Sequence, residues 1–197
     1  MGFFTVNEAK ARLQITTDSH DTLIEYLIDD VGALLEAYCD RHFSANTYTE
    51  YHNGTGSNYI LTKEWPINSI TSLYDDPDRS FTSASLIDSD NYTFIADEGK
   101  IVLIEENVVL NIYMTTLFQK GVQNIKIIYN AGYTTVPSDL KLIAAEIMMK
   151  KYKNFMDKRI GMRTVGSGDE RIGMYLNDML PDHRMILDAK YRNRGSF

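Results

Sequence analysis

The chain has 197 residues, 44% of them hydrophobic, which suits one domain or one domain with an insertion. No apolar run approaches the roughly 20 residues that cross a bilayer, MGFFTVNEAKARL lacks the parts of a signal peptide, and Gly2 without a polybasic partner does not read as a lipid anchor. The net charge of -7 is polarised: residues 1–50 carry -6, residues 51–140 carry -6 and residues 141–197 carry +5, a pattern suited to head-to-tail contact between copies, to a basic end meeting an acidic partner or nucleic acid, or to solvated faces of opposite sign.

Thr5-Val6-Asn7-Glu8 fits a capping box and predicts a short helix to Leu13. Asp18 or Ser19 is expected to cap a longer helix running to about Asp40. Leu23, Ile24, Leu27, Ile28, Val31, Leu34, Leu35 and Tyr38 recur at helical spacing and form its buried face. Glu25, Asp29, Gly32, Glu36 and Asp40 lie opposite, as an acidic docking stripe or a solvated face.

From about Tyr48 to Tyr129 the period becomes two. TYTEYHN and NYILT flank Gly54-Thr55-Gly56, a hairpin signature. Trp65-Pro66 punctuates, INSITSLYDD alternates, and DPDRSFTSAS is polar and turn-rich. DNYTFIA, KIVLIEE, VVLNIYM and VQNIKIIYN are further strand candidates. Together they predict an antiparallel sheet or small barrel.

Pro137, Ser138 and Asp139 mark a helix start, and the helix is expected to reach about Arg159. Leu140, Ile143, Ala144, Ile147, Met148, Tyr152 and Phe155 supply its apolar face. Glu146, Lys150, Lys153 and Asp157 share a polar stripe, with Glu146 one turn before Lys150. TVGSGDE reads as a loop. The end has helical character broken at Pro181, and its methionines resemble a partner-binding arm, with a plain final helix on the domain as the alternative.

The residues offer little chemistry. The single cysteine, Cys39, rules out an intrachain disulfide and a multi-cysteine zinc site, as suits assembly in a reducing cytoplasm. His20, His42, His52 and His183 show no zinc spacing. Gly54-Thr55-Gly56-Ser57 and Gly166-Ser167-Gly168 do not match a phosphate loop. Ser138 lacks a nucleophile elbow. Asp75, Asp76 and Asp78 lack the spacing of a calcium loop. No cofactor is expected. Lys150, Lys151, Lys153, Lys158, Arg159 and Arg163 form a basic cluster able to touch phosphates without reading bases.

Four segments in order resemble the head–tail connector, or adaptor, proteins of long-tailed bacteriophages. They are TVNEAKARLQI, DSHDTLIEYLIDDVGALLEAYCDRHF, TEYHNGTGSNYILTKEWPINSITSLYDD and IKIIYNAGYTTVPSDLKLIAAEIMMKKY. The resemblance covers roughly residues 3–160. It implies an α+β fold: a helical connector domain from residues 1–44 and 131–160, a large antiparallel β-rich insertion at 45–130, and an extended C-terminal arm at 161–197. It further implies a twelvefold homo-oligomeric ring in the virion neck, assembled in the host cytoplasm. The ring would meet the portal protein and the stopper or tail-completion protein, and would contact channel DNA transiently and non-specifically. Candidate portal or neighbour contacts are Arg159, Arg163, Arg171, Arg184, Tyr191, Arg192 and Arg194. Candidate DNA-channel contacts are Lys150, Lys151 and Lys153. The competing readings are an enzyme with a β-rich substrate domain, its site around His52 and Asp75, and a DNA-binding accessory protein.

Overall fold

A computed structural model describes residues 3–104, 116–158, 164–165, 172–173 and 179–192. The chain divides into two compact units, one from Met1–Arg41 with Val136–Asn193, the other centred on His42–Thr135. The predicted strand VVLNIYM and residue Arg159 lie outside the described residues.

The first unit is helical. Thr5 and Glu8 close the expected capping box: Glu8 N–H donates to Thr5 Oγ1 at 3.2 Å, and Thr5 N–H donates to Glu8 Oε2 at 2.7 Å. Helix α1 follows at Val6–Leu13 and ends where Gln14 turns left-handed. Helix α2, Asp21–Cys39, buries Ile24, Ile28, Val31, Leu35 and Cys39, steps of three and four residues that keep one face inward. Its start differs from expectation. His20 holds the cap position without a side-chain cap bond. The Asp18 carboxylate is drawn instead to Lys10 Nζ at 2.5 Å, which also meets Asp21 at 2.8 Å.

Helix α3, Ser138–Met156, buries Leu140, Ile143, Ala144, Ala145, Ile147 and Met148. It packs with α1 and α2. It stops short of Arg159, because Asp157 caps it and Lys158 adopts φ +53°. Phe155, expected on the apolar face, is exposed. Helix α4, Pro181–Lys190, begins at the proline. A proline at the first helical position lacks only an N–H that would have had no partner, so Pro181 starts a helix and does not break one. No described helix is long and apolar enough to cross a membrane.

The second unit holds two three-stranded antiparallel sheets. Strands β1 (Asn46–Gly54), β3 (Ile67–Asp75) and β6 (Gly121–Ala131) pair in the order β1-β6-β3. Strands β2 (Tyr59–Leu61), β4 (Tyr92–Ile95) and β5 (Lys100–Leu103) pair in the order β2-β5-β4. In the chain segment of the first unit, two short strands, β7 (Thr164–Val165) and β8 (Ile172–Gly173), pair with each other. The alternation of β6 sends Ile125, Ile127, Tyr129 and Ala131 into the core with Leu73, Ile101 and Phe118. Each buried isoleucine contributes about 2 kcal/mol by leaving water. The ladder shifts register in β1 between His52 and Gly54, and in β3 between Ile67 and Ser69 and between Ile70 and Ser72.

The expected hairpin across Gly54-Thr55-Gly56 does not form. β1 pairs with β6, and β2 joins the other sheet. The glycine is spent on a close approach instead: a Cβ at Gly54 would stand 1.7 Å from Gln119 O. Gly54 N–H donates to Asn124 Oδ1 at 2.8 Å, and Asn124 Nδ2 donates to Gln119 O at 2.8 Å and to Asp75 Oδ1 at 3.0 Å. One buried amide thus ties β1, β3 and the entry to β6.

The acidic turn after β3 is built around Asp76, which accepts from Asp78 N–H, Ser80 Oγ, Phe81 N–H and Ser85 Oγ at 2.7–3.0 Å. Burial pushes this carboxyl up, yet the hydrogen bonds prevail and hold it below the usual carboxylate range.

Asn124→Ala removes the buried amide and strands Gly54 N–H. The expected loss is about 3 kcal/mol of unfolding free energy, read from urea denaturation; a loss under about 1 kcal/mol would show that the amide does not hold the three strands.

Candidate assembly surfaces

The acidic stripe on α2 keeps Glu25, Asp29 and Asp40 at the surface. Gly32 is a gap in it for a physical reason. A Cβ there would come 3.3 Å from the buried Phe3 ring, so this step of the helix is covered by the start of the chain.

The lysines expected at the DNA channel fall on the second half of α3. Lys150 and Lys151 are half-buried and Lys153 is exposed. Lys150 and Lys153 are three residues apart and share a face, whereas Lys151 is turned about 100° from Lys150.

Helix α4 is clamped inside the helical unit. His183 is buried, and its Nε2 lies 2.7 Å from Glu146 Oε2 on α3. Leu180 N–H reaches His183 Nδ1 at 3.4 Å, so the tautomer with its proton on Nε2 satisfies both contacts. At the other end, Asp139 in the first turn of α3 accepts from Lys190 Nζ at 2.8 Å and from the Tyr191 hydroxyl at 2.5 Å. Tyr38 on α2 donates to Asp188 at 3.1 Å, and Arg192 meets Asp188 at 3.2 Å while lying 5.6 Å over the Tyr38 ring. Leu187 fills the space between with no exposure.

The expected C-terminal arm therefore takes another form across residues 179–192, a seated helix. Two opposite-sign ends and a buried imidazole supply what a plain arm would lack. Of the candidate portal or neighbour contacts, Arg184 is exposed on α4, Arg192 joins Asp188, and Tyr191 is buried with its hydroxyl on Asp139. Arg159, Arg163, Arg171 and Arg194 lie outside the described residues.

His52 and Asp75, the anchors of the enzyme reading, both stand opposite Ile125, one on each flank of β6. Each serves its own strand junction. His52 Nε2 is 2.8 Å from Glu50, whose carboxylate also takes the Tyr129 hydroxyl and Lys63 N–H. Asp75 accepts from Gln119 N–H at 2.7 Å and from Asn124. Burial pushes Glu50 up, but its hydrogen bonds from His52 and Tyr129 bring it below the usual range. The Cys39 thiol is buried, and that burial lifts its pKa to about 11, far from a thiolate nucleophile at neutral pH. Among the described residues no group of three or more His, Cys, Asp or Glu could hold a metal ion.

Asp139 sets a pH dependence. Burial raises its pKa, but the bonds from Lys190 and Tyr191 outweigh it and leave the carboxyl below its usual value. Its contribution is complete above the unfolded value near about 3.9 and disappears as pH falls through the lower folded value. Asp139→Asn should flatten the loss of stability between about pH 5 and pH 2 and speed amide exchange across Pro181–Lys190. Unchanged exchange in that helix would mean that α4 is held without the clamp.

The model of a family described as head completion protein matches residues 2–194. No curated protein matches the chain. Among solved structures, one similar chain comes from the neck of an empty gene transfer agent particle computed with C6 symmetry. It has a TM-score of 0.58 and 13% identity, over 98% of this chain and 91% of that one. Another comes from the virion of the native gene transfer agent particle, with a TM-score of 0.57, 13% identity and the same coverage, 98% and 91%. A third comes from the neck of the native particle computed with C12 symmetry, at 0.54 and 13%, covering 98% and 90%. At this identity the likeness is one of fold.

Proposed function

Because the chain belongs to the head completion protein family, we propose that it is a structural protein of the virion neck that forms a ring beneath the portal. The ring extends the DNA channel and offers the platform on which the stopper or tail is mounted. The observation that carries this reading is a fold shared over 98% of the chain with neck proteins from particles computed with C6 and C12 symmetry. Its role is one of shape and contact, without catalysis.

The ring is twelvefold, built by one heterologous contact repeated around an axis. The negative first two-thirds and positive last third of the chain orient that contact. The helical connector domain, residues 1–44 and 131–160, supplies α2 and α3 as the ring wall, and the β-rich insertion at 45–130 lies between them in the chain. Arg184 on α4 and Arg192 just past its end, with Arg159, Arg163, Arg171 and Arg194, are the portal or neighbour contacts, while the buried Tyr191 holds α4 in place behind them. Lys150, Lys151 and Lys153 face the channel and touch DNA transiently, through phosphates alone.

Electron microscopy of the purified chain, alone and with its portal, should show rings. Raising salt from 0.1 M to 1 M shortens the Debye length from about 10 Å to about 3 Å and should weaken the ring. A monomer under every condition would sink the reading. Lys150→Glu with Lys151→Glu should leave ring formation intact and reduce the weak, salt-sensitive binding of duplex DNA. Tight binding to free duplex by a chain that never forms rings would favour the DNA-binding accessory protein instead.

A further inference from the structure

A groove of about 480 Å³ opens on the β unit. One wall is the segment after the Asp76 turn, which runs along β3: Ile87 N–H donates to Leu73 O at 2.8 Å, and Leu86 bridges Tyr74. The other wall is the end of β5 at Leu103 and Ile104 together with the approach to β6 at Thr116 and Leu117. Leu86, Ile104 and Leu117 remain 46%, 42% and 49% exposed while lining this one concavity. Three large apolar side chains gathered at the surface mark a contact site.

The charges around the groove have one sign. Asp75 and Asp88 line it, and among the described residues no lysine, arginine or histidine does. Asp75 is pushed up by burial, and its neighbour Asp76 pushes in the same direction. A cation brought to this rim would stabilise the ionised carboxylate.

The last turn of α3 has the complementary composition. Phe155 and Met156 are 47% and 46% exposed side by side at the end of α3, whereas the other strongly exposed apolar residue of that helix, Leu142, stands alone in its first half. Lys153 and Lys158 stand exposed on either side of them, with Asp157 exposed between Met156 and Lys158, so the segment as a whole keeps a positive charge. An aromatic ring and a flexible thioether between two lysines suit an apolar groove with an acidic rim.

We infer that the α3 end of one copy, Lys153–Lys158, seats in the β-unit groove of the next copy. Phe155 and Met156 lie against Leu86, Ile104 and Leu117, and the lysine ammonium groups lie at Asp75 and Asp88. The contact joins two different surfaces, so it is heterologous, and repetition closes it into a ring. This rests on the ring reading and specifies its interface.

Cysteine cross-linking of the full chain tests the contact. Cys39 is buried, so introduced thiols dominate the reaction. Leu117→Cys combined with Phe155→Cys should give a ladder of covalent oligomers under oxidation, and neither single variant should. Mixing isotopically labelled and unlabelled copies should give linked peptides of mixed origin. In parallel, Phe155→Asp with Met156→Asp, at positions already in water, should keep the far-ultraviolet spectrum and weaken assembly at least about tenfold. Asp88→Lys should weaken assembly, as should Lys153→Glu with Lys158→Glu, and the combined reversal should recover to within about threefold. Rings visible by microscopy without the cross-link would overturn the interface and leave the ring reading standing. Links found only within one chain would also overturn it and point to the chain's own α3 end, and assembly untouched by the Phe155 and Met156 changes would overturn it and point to the portal as the groove's occupant. Failure to oligomerise under any condition would overturn both.

Discussion

Strand β6 must satisfy a neighbour on each edge while filling the core with every second residue. It pairs with β1 and β3 at once, so residues 125–131 face partners on both sides. Its one buried polar side chain on that face, Tyr129, is accommodated by two contacts. The hydroxyl donates to Glu50 on β1, and Glu64 N–H donates to it at 3.1 Å. Burial and the bond to Glu50 both raise the Tyr129 pKa, so the phenol stays protonated. Glu50 is in turn held by His52 and by Lys63 N–H. A slip of one residue would turn Ile125, Ile127 and Tyr129 to the opposite face and break this set. The register of the sheet is therefore written in both its apolar and its polar contacts.

Much of this was legible where the signal was local. Thr5 and Glu8 form their box because a capping box needs only four consecutive residues. The period of α2 and the alternation of β6 survive because each reports one face of one element. Pairing was the weaker inference. Gly54-Thr55-Gly56 reads as a hairpin, yet Gly54 is needed for close approach to Gln119 and for the bond to Asn124, which is 70 residues away in the chain. Asp18 reads as a helix cap, but a lysine eight residues earlier captures it. Asn124 and Asp76 carry no local signature at all. A buried amide and a buried carboxylate look like surface residues until their partners are assembled around them.

The C-terminal third shows how a charged segment can serve two purposes. Asp139, Glu146 and Asp188 engage Lys190, His183 and Arg192 within the helical unit. Exposed ion pairs such as Lys190–Asp139 and Arg192–Asp188 contribute little singly, so the buried Leu187, Tyr191 and His183 supply most of the holding power and the charges select the orientation. The basic residues left at the surface, Arg184 and Lys153 among them, are those on which the proposed contacts draw. That division explains why a search for catalytic spacing in this chain meets titratable residues already committed to structure. It also explains why the family resemblance is spread over four segments: packing and contact draw on many residues, each modestly constrained.

The register shifts in β1 and β3 acquire meaning from where these strands lie. Both are edges, and an edge offers unpaired amides and carbonyls to any passing strand. A bulge bends the edge and interrupts the regular spacing that a foreign strand would need. On β3 the segment at Leu86 and Ile87 also takes up part of the outer edge. Bent borders and this partial cover make β1 and β3 poor templates for a strand from a second copy, so contact between copies is left to side chains and not to sheet extension.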